Sequence, residues 1–375
     1  MQIAIVGLAG SGKTTVFNTL TRGHAQTGGY GGMELHVGTV KVPDERLDRL
    51  AEIFKPKKIV QADVTYFDLA APPVSTEGRV GTEELPADQL ARLRESDALL
   101  HVVRAFEDPS VPHLEGSVDA WRDLERLDFE FLMSDLSLVE KRLDRLKASG
   151  HHGPPAERES NDRELLILTR LHAALVEGRP LRGESIDHDE EKSIRGFRFL
   201  TQKPVLVLLN VGEADLVRVG DADSTREAEI VDGITARYQH ARTLVDALSA
   251  KIEMELGELD PEEATVFMDE LGIAESGLAR VIHLSYRLLG LISFLTAGPD
   301  EVRAWPIPAG SSSVEAAGAI HTDLARGFIR AEVVPYEDLL HLKTMAEARK
   351  HGKLRSEGKT YTVKDGDVVE ILFSK

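Results

Sequence analysis

The chain of 375 residues is long enough for two or three domains, and its 42% hydrophobic and 29% charged residues are typical of a soluble globular protein. The absence of cysteine excludes thiol catalysis, disulfide switching and cysteine-based metal sites, and it fits a cytoplasmic location. A net charge of −18 argues against broad, non-specific nucleic-acid binding by the whole surface.

The first element is a short buried strand that leads directly into the phosphate-binding pattern Gly-x-x-x-x-Gly-Lys-Thr. Glycines let the backbone N–H groups of such a loop turn inward around phosphate oxygens, and a following helix, residues 14 to about 21, adds its positive N-terminal end. Lys13 places a positive charge on the β- and γ-phosphates, and the Thr14 hydroxyl can coordinate Mg²⁺. The pattern predicts a nucleotide-binding loop that contacts its ligand through Gly7, Gly10, Ser11, Gly12, Lys13, Thr14 and Thr15.

Short apolar runs then alternate with helical patterns. Strands are predicted at residues 2–6, 36–42, 63–67, 98–103, 205–209 and 243–248, with a helix after Pro43. This alternation is typical of an α/β fold in which helices cover a mainly parallel sheet.

Two leucine-rich stripes interrupt the predicted sheet. The first has heptad-like spacings of 4, 3, 4 and 3 through residues 132–146, and the second runs through residues 165–175. A Gly/Pro segment at residues 150–155 separates them, which predicts an antiparallel helical hairpin inserted into the sheet domain. Two ordinary surface helices packed on the sheet are the alternative.

A different pattern begins at about residue 302. It predicts a strand at 302–307, a helix near 314–319, a strand at 328–334 and a helix from 336 to 350. Residues 361–368 are predicted to form a β-hairpin in which Asp365 and Gly366 supply the turn.

Several distinctive strings resemble the YchF-type Obg-like ATPases, within the translation-factor-related P-loop NTPases. They include PDERLD at 43–48, HVVRAF at 101–106, LSAKIE at 248–253 and GFIRAE at 327–332. The resemblance spans nearly the whole chain. It implies a P-loop G domain at 1–121 and 202–301, an inserted α-helical coiled-coil hairpin at 122–201, and a C-terminal β-grasp (TGS) domain at 302–375.

Base recognition is expected at two loops. The place of the superfamily's Asn-Lys-x-Asp loop holds Asn-Val-Gly-Glu, and the longer Glu213 cannot accept both guanine donors as an aspartate does. Asn210 can still pair with adenine, and the resemblance associates this version of the loop with ATP over GTP. It also places Ser249, Ala250 and Lys251 against the base. A helix cap and a first-turn carboxylate are the alternative interpretation of Asn210 and Glu213.

Hydrolysis is expected to be slow, because the sequence departs from the family pattern around the γ-phosphate. Ala71 stands in place of a glycine, Gly32 in place of a metal-binding threonine, and Gly10 in place of an asparagine. Asp68 remains placed to reach Mg²⁺ through water. The resemblance matches His113 to a histidine near the γ-phosphate; a solvent-exposed loop histidine is the alternative. Lys13 and Mg²⁺ could support slow turnover without a dedicated base.

The resemblance also implies association with ribosomes or translation complexes. A local basic cluster could contact rRNA phosphates, or it could be a solvated helix end; it consists of Arg349, Lys350, Lys353, Arg355 and Lys359. No signal peptide or membrane span is expected, because no basic segment precedes the first strand and the apolar runs are too short.

Three functions remain open from the sequence. The first is a slow ATPase whose nucleotide state alters its binding to the translation machinery, and the second is an ATP-gated adaptor with little or no hydrolysis. The third, a small-molecule or nucleotide kinase, is disfavoured because the inserted segment has a coiled-coil pattern in place of an arginine-rich lid.

Overall fold

The computed structural model describes residues 1–23, 35–69, 85–113, 115–149, 154–216, 225–273 and 275–374. The strands within them are β1 (Gln2–Val6), β2 (Leu35–Lys41), β3 (Lys58–Val60), β4 (Asp63–Leu69), β5 (Ala98–Ala105), β6 (Val205–Val211), β7 (Thr243–Leu248), β8 (Leu291–Ala297), β9 (Glu301–Pro308), β10 (Phe328–Pro335), β11 (Arg355–Glu357) and β12 (Asp367–Phe373). The helices are α1 (Lys13–Thr21), α2 (Glu45–Phe54), α3 (Ala87–Glu95), α4 (Ala120–Ser149), α5 (Pro155–Val176), α6 (His188–Ile194), α7 (Arg226–Arg237), α8 (Ala250–Glu258), α9 (Pro261–Leu271), α10 (Gly277–Leu288), α11 (Ser313–Ile320), α12 (Thr322–Arg326), α13 (Tyr336–Leu342) and α14 (Met345–Lys350). Short 3-10 turns occur at Leu181–Gly183, Arg195–Phe197 and Glu213–Asp215.

The chain divides into two compact units. The first comprises Met1–Gly38 and Tyr66–Leu278, and the second comprises Thr39–Thr65 and Ala279–Lys375. The division into a G domain, a hairpin and a TGS domain at the boundaries given above stays a prediction.

The first sheet has the strand order β2-β4-β1-β5-β6-β7, and β1, β5, β6 and β7 are parallel. All six predicted strands are present within two residues of their expected ends, so the predicted α/β class with a mainly parallel sheet is confirmed. Every residue of β6 is buried, as expected for an apolar strand inside a parallel sheet covered on both faces. Because these strands share one direction, the loops after β1, β5, β6 and β7 meet at one edge of the sheet.

The helices α4 and α5 pack on each other around a core of their own. The predicted stripes supply this core, which includes Val139, Leu143, Leu168, Leu171 and Leu175. Its residues are separate from those of the sheet core, as a hairpin requires. Two hydrogen bonds of 2.8 and 2.7 Å join Arg142 to Glu164, and Glu140 lies 3.5 Å from His172. This order of contacts is antiparallel. The predicted hinge residues 150–153 lie outside the described residues.

The second sheet is mixed and has the order β11-β10-β12-β8-β9-β3. The pairs β8–β9, β10–β11 and β10–β12 are antiparallel, whereas β12–β8 and β3–β9 are parallel. The helix α11 packs over it, and Ala316, Ala317, Phe294 and Val333 lie in the shared core.

Two expectations for this unit were wrong in detail. The predicted helix 336–350 is two helices, because Lys343 takes a left-handed conformation (φ 64°) and Thr344 caps α14 by accepting a hydrogen bond from Glu347 N–H. The predicted hairpin 361–368 does not form. Its turn is present, with Gly366 at φ 78°, but β12 is already paired with β10 and β8, and Thr362 pairs with Ser312 instead.

Candidate nucleotide-binding site

The predicted phosphate-binding loop lies between β1 and α1 and needs its glycines. Gly7, Gly10 and Gly12 have φ angles of 153°, 77° and 91°, a region that L side chains rarely adopt. A Cβ on Gly7 would lie 2.2 Å from the carbonyl oxygen of Val102, and one on Gly12 would lie 2.3 Å from Nδ2 of Asn210. The helix α1 has no side-chain cap, so its first N–H groups face the loop without a side-chain partner.

The charged groups at the start of α1 are few and close together. Lys13 Nζ donates a hydrogen bond of 2.9 Å to the Leu8 carbonyl oxygen. Burial lowers the pKa of Lys13 to about 8, against the opposing charge of Asp68. Thr14 Oγ1 donates to Oδ2 of Asp68 at 3.0 Å. The predicted residue Thr15 lies one position further along α1.

Asp68 lies at the end of β4 and is completely buried. Burial raises the pKa of its carboxyl group, against the charge of Lys13 and the hydrogen bond from Thr14. Its Oδ1 atom has no hydrogen-bond partner among the described residues, and neither has the buried hydroxyl group of Ser11. Asp68 Oδ1 and Ser11 Oγ are therefore buried polar atoms whose hydrogen-bonding capacity a ligand at the loop would satisfy.

Asn210 joins the phosphate-binding loop to the loop that follows β7. Its Nδ2 donates to the Ser11 carbonyl oxygen at 3.0 Å, and its Oδ1 accepts from the Ala250 N–H at 3.1 Å. The side chain is buried. The sequence indicated a base contact for Asn210, which stays a prediction, but it gave no sign of this clamp between two loops.

Glu213 and Lys251 form an exposed ion pair at the same edge of the sheet, with Nζ 3.3 Å from Oε2. Glu213 begins a 3-10 turn, so the first-turn carboxylate weighed as an alternative is present, although Gly212 occupies the cap position. Ser249 is buried at the cap of α8, directly before Ala250.

His113 lies in the segment after β5 and is held at both ring nitrogens. Nε2 lies 2.8 Å from Oδ2 of Asp123, and Nδ1 accepts the Glu115 N–H at 3.1 Å. Because Nδ1 is an acceptor, the ring proton belongs on Nε2. The side chain is only 9% exposed, so the alternative of a solvent-exposed histidine was wrong. A catalytic role stays a prediction.

Sequence reasoning missed Arg104, the penultimate residue of β5. Its Nη1 atom lies 3.5 Å from the position of a Cβ on Gly10, and Val111 contacts the same position at 3.4 Å. Within the sequence, Arg104 is one position of the string HVVRAF, and the register that aligns it with Asn210 is visible only in the folded sheet. Two of the expected departures, Gly32 and Ala71, lie outside the described residues.

The predicted basic cluster in the second unit is largely paired within the chain. Arg349 lies 2.6 Å from Glu332, Lys350 3.5 Å from Glu347, Lys353 3.0 Å from Asp338 and Arg355 3.3 Å from Glu357. Lys359 is exposed on the turn after β11. These pairings reduce the charge that the cluster presents to an anion.

Two kinds of site are absent from the described residues. No group of three or more His, Asp or Glu side chains there is placed to hold a metal ion. None of the helices there has the length and apolar character needed to cross a membrane.

The parallel sheet, the glycine-dependent loop at the tip of β1 and the uncapped α1 define a P-loop nucleotide-binding protein. Residues 2–132 match a family described as 50S ribosome-binding GTPase. Residues 291–374 match the YchF GTPase C-terminal family, described as a protein of unknown function.

Known proteins resemble the chain over its whole length. It is 39% identical to the ribosome-binding ATPase YchF of Bacillus subtilis (strain 168) and 37% identical to that of Escherichia coli O157:H7, over 100% of this chain and 99% of each relative. The structure of the Schizosaccharomyces pombe YchF GTPase matches with a TM-score of 0.85 and 32% identity, over 99% of this chain and 97% of that one. The chain belongs to the YchF family, which confirms the resemblance seen in its sequence.

Proposed function

We propose that this protein is a slow, Mg²⁺-dependent ATPase whose nucleotide state alters its binding to the ribosome. The observation that carries the proposal is the phosphate-binding loop, tied by Asn210 to the loop at Ala250. The names of its relatives, ribosome-binding ATPases, supply the partner and the reaction. We place the protein in the cytoplasm, where ribosomes are.

The proposed preference for ATP rests on Glu213. Guanine presents two donors that a free, correctly placed carboxylate accepts together. In this chain the carboxylate is longer than aspartate and is paired with Lys251. Both features disfavour guanine, whereas the backbone groups around Ser249 and Ala250 remain compatible with adenine.

The donor set at the loop fits Mg²⁺. Thr14 supplies a hydroxyl oxygen, and Asp68 supplies a buried carboxylate with one oxygen unpaired. Mg²⁺ prefers oxygen ligands and retains several waters, so few protein ligands are needed beside the phosphates. Thr14 would hold the ion directly and Asp68 through water. The ion would neutralise the charge that develops on the phosphates.

An ATP-gated adaptor with little hydrolysis is the second candidate, and His113 favours it. Both ring nitrogens of His113 are engaged, so neither is available to accept a proton from an attacking water in this arrangement. Under the ATPase proposal, the positioning of phosphates by Lys13 and Mg²⁺ accounts for slow turnover.

Single-turnover hydrolysis of ATP and GTP tests the proposal, with binding measured in parallel for wild type and Lys13→Ala. We expect ATP to bind more tightly than GTP and to be cleaved slowly, and we expect Lys13→Ala to abolish both activities. Lys192→Ala, an exposed lysine on α6, is the matched control and should behave as wild type. Binding without hydrolysis would favour the adaptor; equal affinity for GTP would contradict the argument from Glu213.

Ribosome association is tested by co-sedimentation in the presence of ATP, ADP or no nucleotide. We expect the bound fraction to differ between ATP and ADP in wild type and to become independent of nucleotide in Lys13→Ala. Within this proposal, rRNA phosphates contact the basic cluster of Arg349, Lys350, Lys353, Arg355 and Lys359. Identical binding in all three states would contradict the nucleotide-state mechanism.

A further inference from the structure

Arg104 is a buried cation beside the phosphate-binding loop. The residue is 3% exposed and lies near the end of β5, in register with Asn210 on β6. Its Nη1 atom points to the loop, 3.5 Å from the position that a Cβ on Gly10 would occupy. The glycine at this position therefore leaves the guanidinium in direct reach of the loop.

Among the residues that the structure describes, Arg104 donates hydrogen bonds only to neutral groups. Nε donates to the Phe106 carbonyl oxygen at 3.1 Å, and Nη2 donates to that of Asp108 at 3.4 Å. The guanidinium also lies 4.6 Å above the Phe106 ring. Nη1, the atom nearest to Gly10, donates no hydrogen bond among the described residues.

No carboxylate among the described residues forms an ion pair with Arg104. The pKa of the Asp108 carboxyl group is lowered by two hydrogen bonds from Ser110 and, to a smaller extent, by the charge of Arg104, but the two side chains form no ion pair. The half-buried Arg94 and the buried Arg182 of the same unit differ in this respect. Arg94 lies 2.7 Å from Asp135, and Arg182 lies 3.7 Å from Asp128.

A buried charge is costly unless an opposite charge compensates it, so buried arginines are normally paired. The missing anion of Arg104 is expected on the side of Nη1, which faces a loop whose N–H groups and lysine already favour anions. The position after Asn210 is Val211, so β6 supplies no cation there. Arg104, on the neighbouring strand β5, supplies a cation instead.

We propose that Arg104 binds the phosphate chain of the nucleotide and completes the anion site as a second cation beside Lys13. The guanidinium is the group best suited to this, because its planar N–H donors match phosphate oxygens. The inference rests on the proposed nucleotide binding and assigns a further residue to the same site.

The test is Arg104→Met, which replaces the guanidinium with an unbranched apolar side chain. Because no ion pair with a described carboxylate holds the guanidinium in the absence of ligand, the melting temperature of the nucleotide-free protein should stay the same or rise. Affinity for ATP, measured by calorimetry, should fall at least tenfold. The loss should be largest for ATP, smaller for ADP and smallest for AMP, and Arg104→Lys should lie between wild type and Arg104→Met.

Arg94→Met is the matched control, since it removes a half-buried arginine that has a carboxylate partner. It should lower the melting temperature and leave ATP affinity unchanged in the folded protein. If Arg104→Met does not fold, Arg104→Gln carries the same test, because the amide can still donate to the Phe106 carbonyl oxygen.

Two results would overturn the assignment. One is a lower melting temperature for Arg104→Met with ATP affinity equal to wild type, as expected if Arg104 only braces the segment after β5. The other is an equal loss for ATP and AMP. If the wild-type protein binds no nucleotide, both the proposed function and the role of Arg104 are wrong. If the wild-type protein and the variant bind nucleotide equally well, only the role of Arg104 is wrong.

Discussion

Single residues of the phosphate-binding loop are constrained by close contacts. Gly7 and Gly12 adopt positive φ angles, and a Cβ at either position would collide with Val102 or Asn210. Lys13 is a cation that burial makes easier to deprotonate, and its charge is what phosphates require. The affinity of the loop for phosphates is therefore expected to depend on pH through Lys13.

We predict that ATP affinity decreases as pH rises above 8. The pKa of Lys13 in the ligand-free protein is about 8, so the side chain is charged at pH 7 and largely neutral at pH 9.5. Binding above the pKa must take up one proton, which lowers affinity by about tenfold per pH unit. Calorimetry between pH 7 and 9.5 measures this slope.

Lys13→Arg is the control for this pH dependence. Arginine stays protonated throughout this range, so the variant should bind more weakly than wild type but with a flat profile. A flat profile in wild type would show that Lys13 keeps its proton in the ligand-free site.

At the scale of elements, the hairpin of α4 and α5 is anchored by Asp135, a fully buried carboxylate on α4. It accepts hydrogen bonds from Arg94 at 2.7 Å, from Leu200 N–H at 3.2 Å and from both N–H and Oγ1 of Thr201 at 2.8 Å. One side chain thus joins α4 to α3 and to the segment before β6.

Asp135→Ala is predicted to lower the free energy of unfolding by about 3–5 kcal/mol. The reason is that the substitution leaves the buried N–H groups of Leu200 and Thr201 without their acceptor and removes the carboxylate partner of the half-buried Arg94. Chemical denaturation of the full chain measures the change. Asp144→Ala, at an exposed position of the same helix, should stay within about 0.5 kcal/mol of wild type. Equal effects of the two substitutions would contradict the anchoring role.

At the scale of the whole molecule, the charge of −18 and the pairing within the basic cluster limit any contact with rRNA. The carboxylates of Glu332 and Asp338 offset the charges of Arg349 and Lys353, which weakens the attraction of either side chain for a phosphate. Lys359 carries no ion pair among the described residues. The cluster is therefore expected to contribute few phosphate contacts.

We predict that Lys359→Ala weakens ribosome binding more than Lys353→Ala does. Each phosphate contact contributes about −0.7 to −0.9 to the slope of log affinity against log salt concentration. The loss of Lys359 should make that slope less negative by the contribution of about one contact. Ribosome affinity at several salt concentrations measures it, with Lys192→Ala as the control. Unchanged affinity and slope in Lys359→Ala would remove the cluster from the proposed rRNA interface.

The sequence alone predicted the strands of the first sheet, the two helices of the hairpin, the phosphate-binding loop and the family. These depend on local order: apolar runs, heptad spacing, and glycines followed by Lys13 and Thr14. Prediction from the sequence failed where strands that are far apart in the chain compete to pair with the same strand. The segment 361–363 could have paired with β12 by sequence, but β12 was taken on both sides by β8 and β10.

The assembly of the site depends on contacts between residues that are far apart in the sequence. Asn210 reaches Ser11 across 199 residues because β1, β5 and β6 lie side by side in the sheet. The same juxtaposition brings Arg104 to Gly10, where it forms no ion pair with a carboxylate of the described residues. A sequence motif specifies the groups that hold a phosphate through local backbone geometry. Which distant side chains meet that loop depends on strand order, and strand order is a property of the folded sheet.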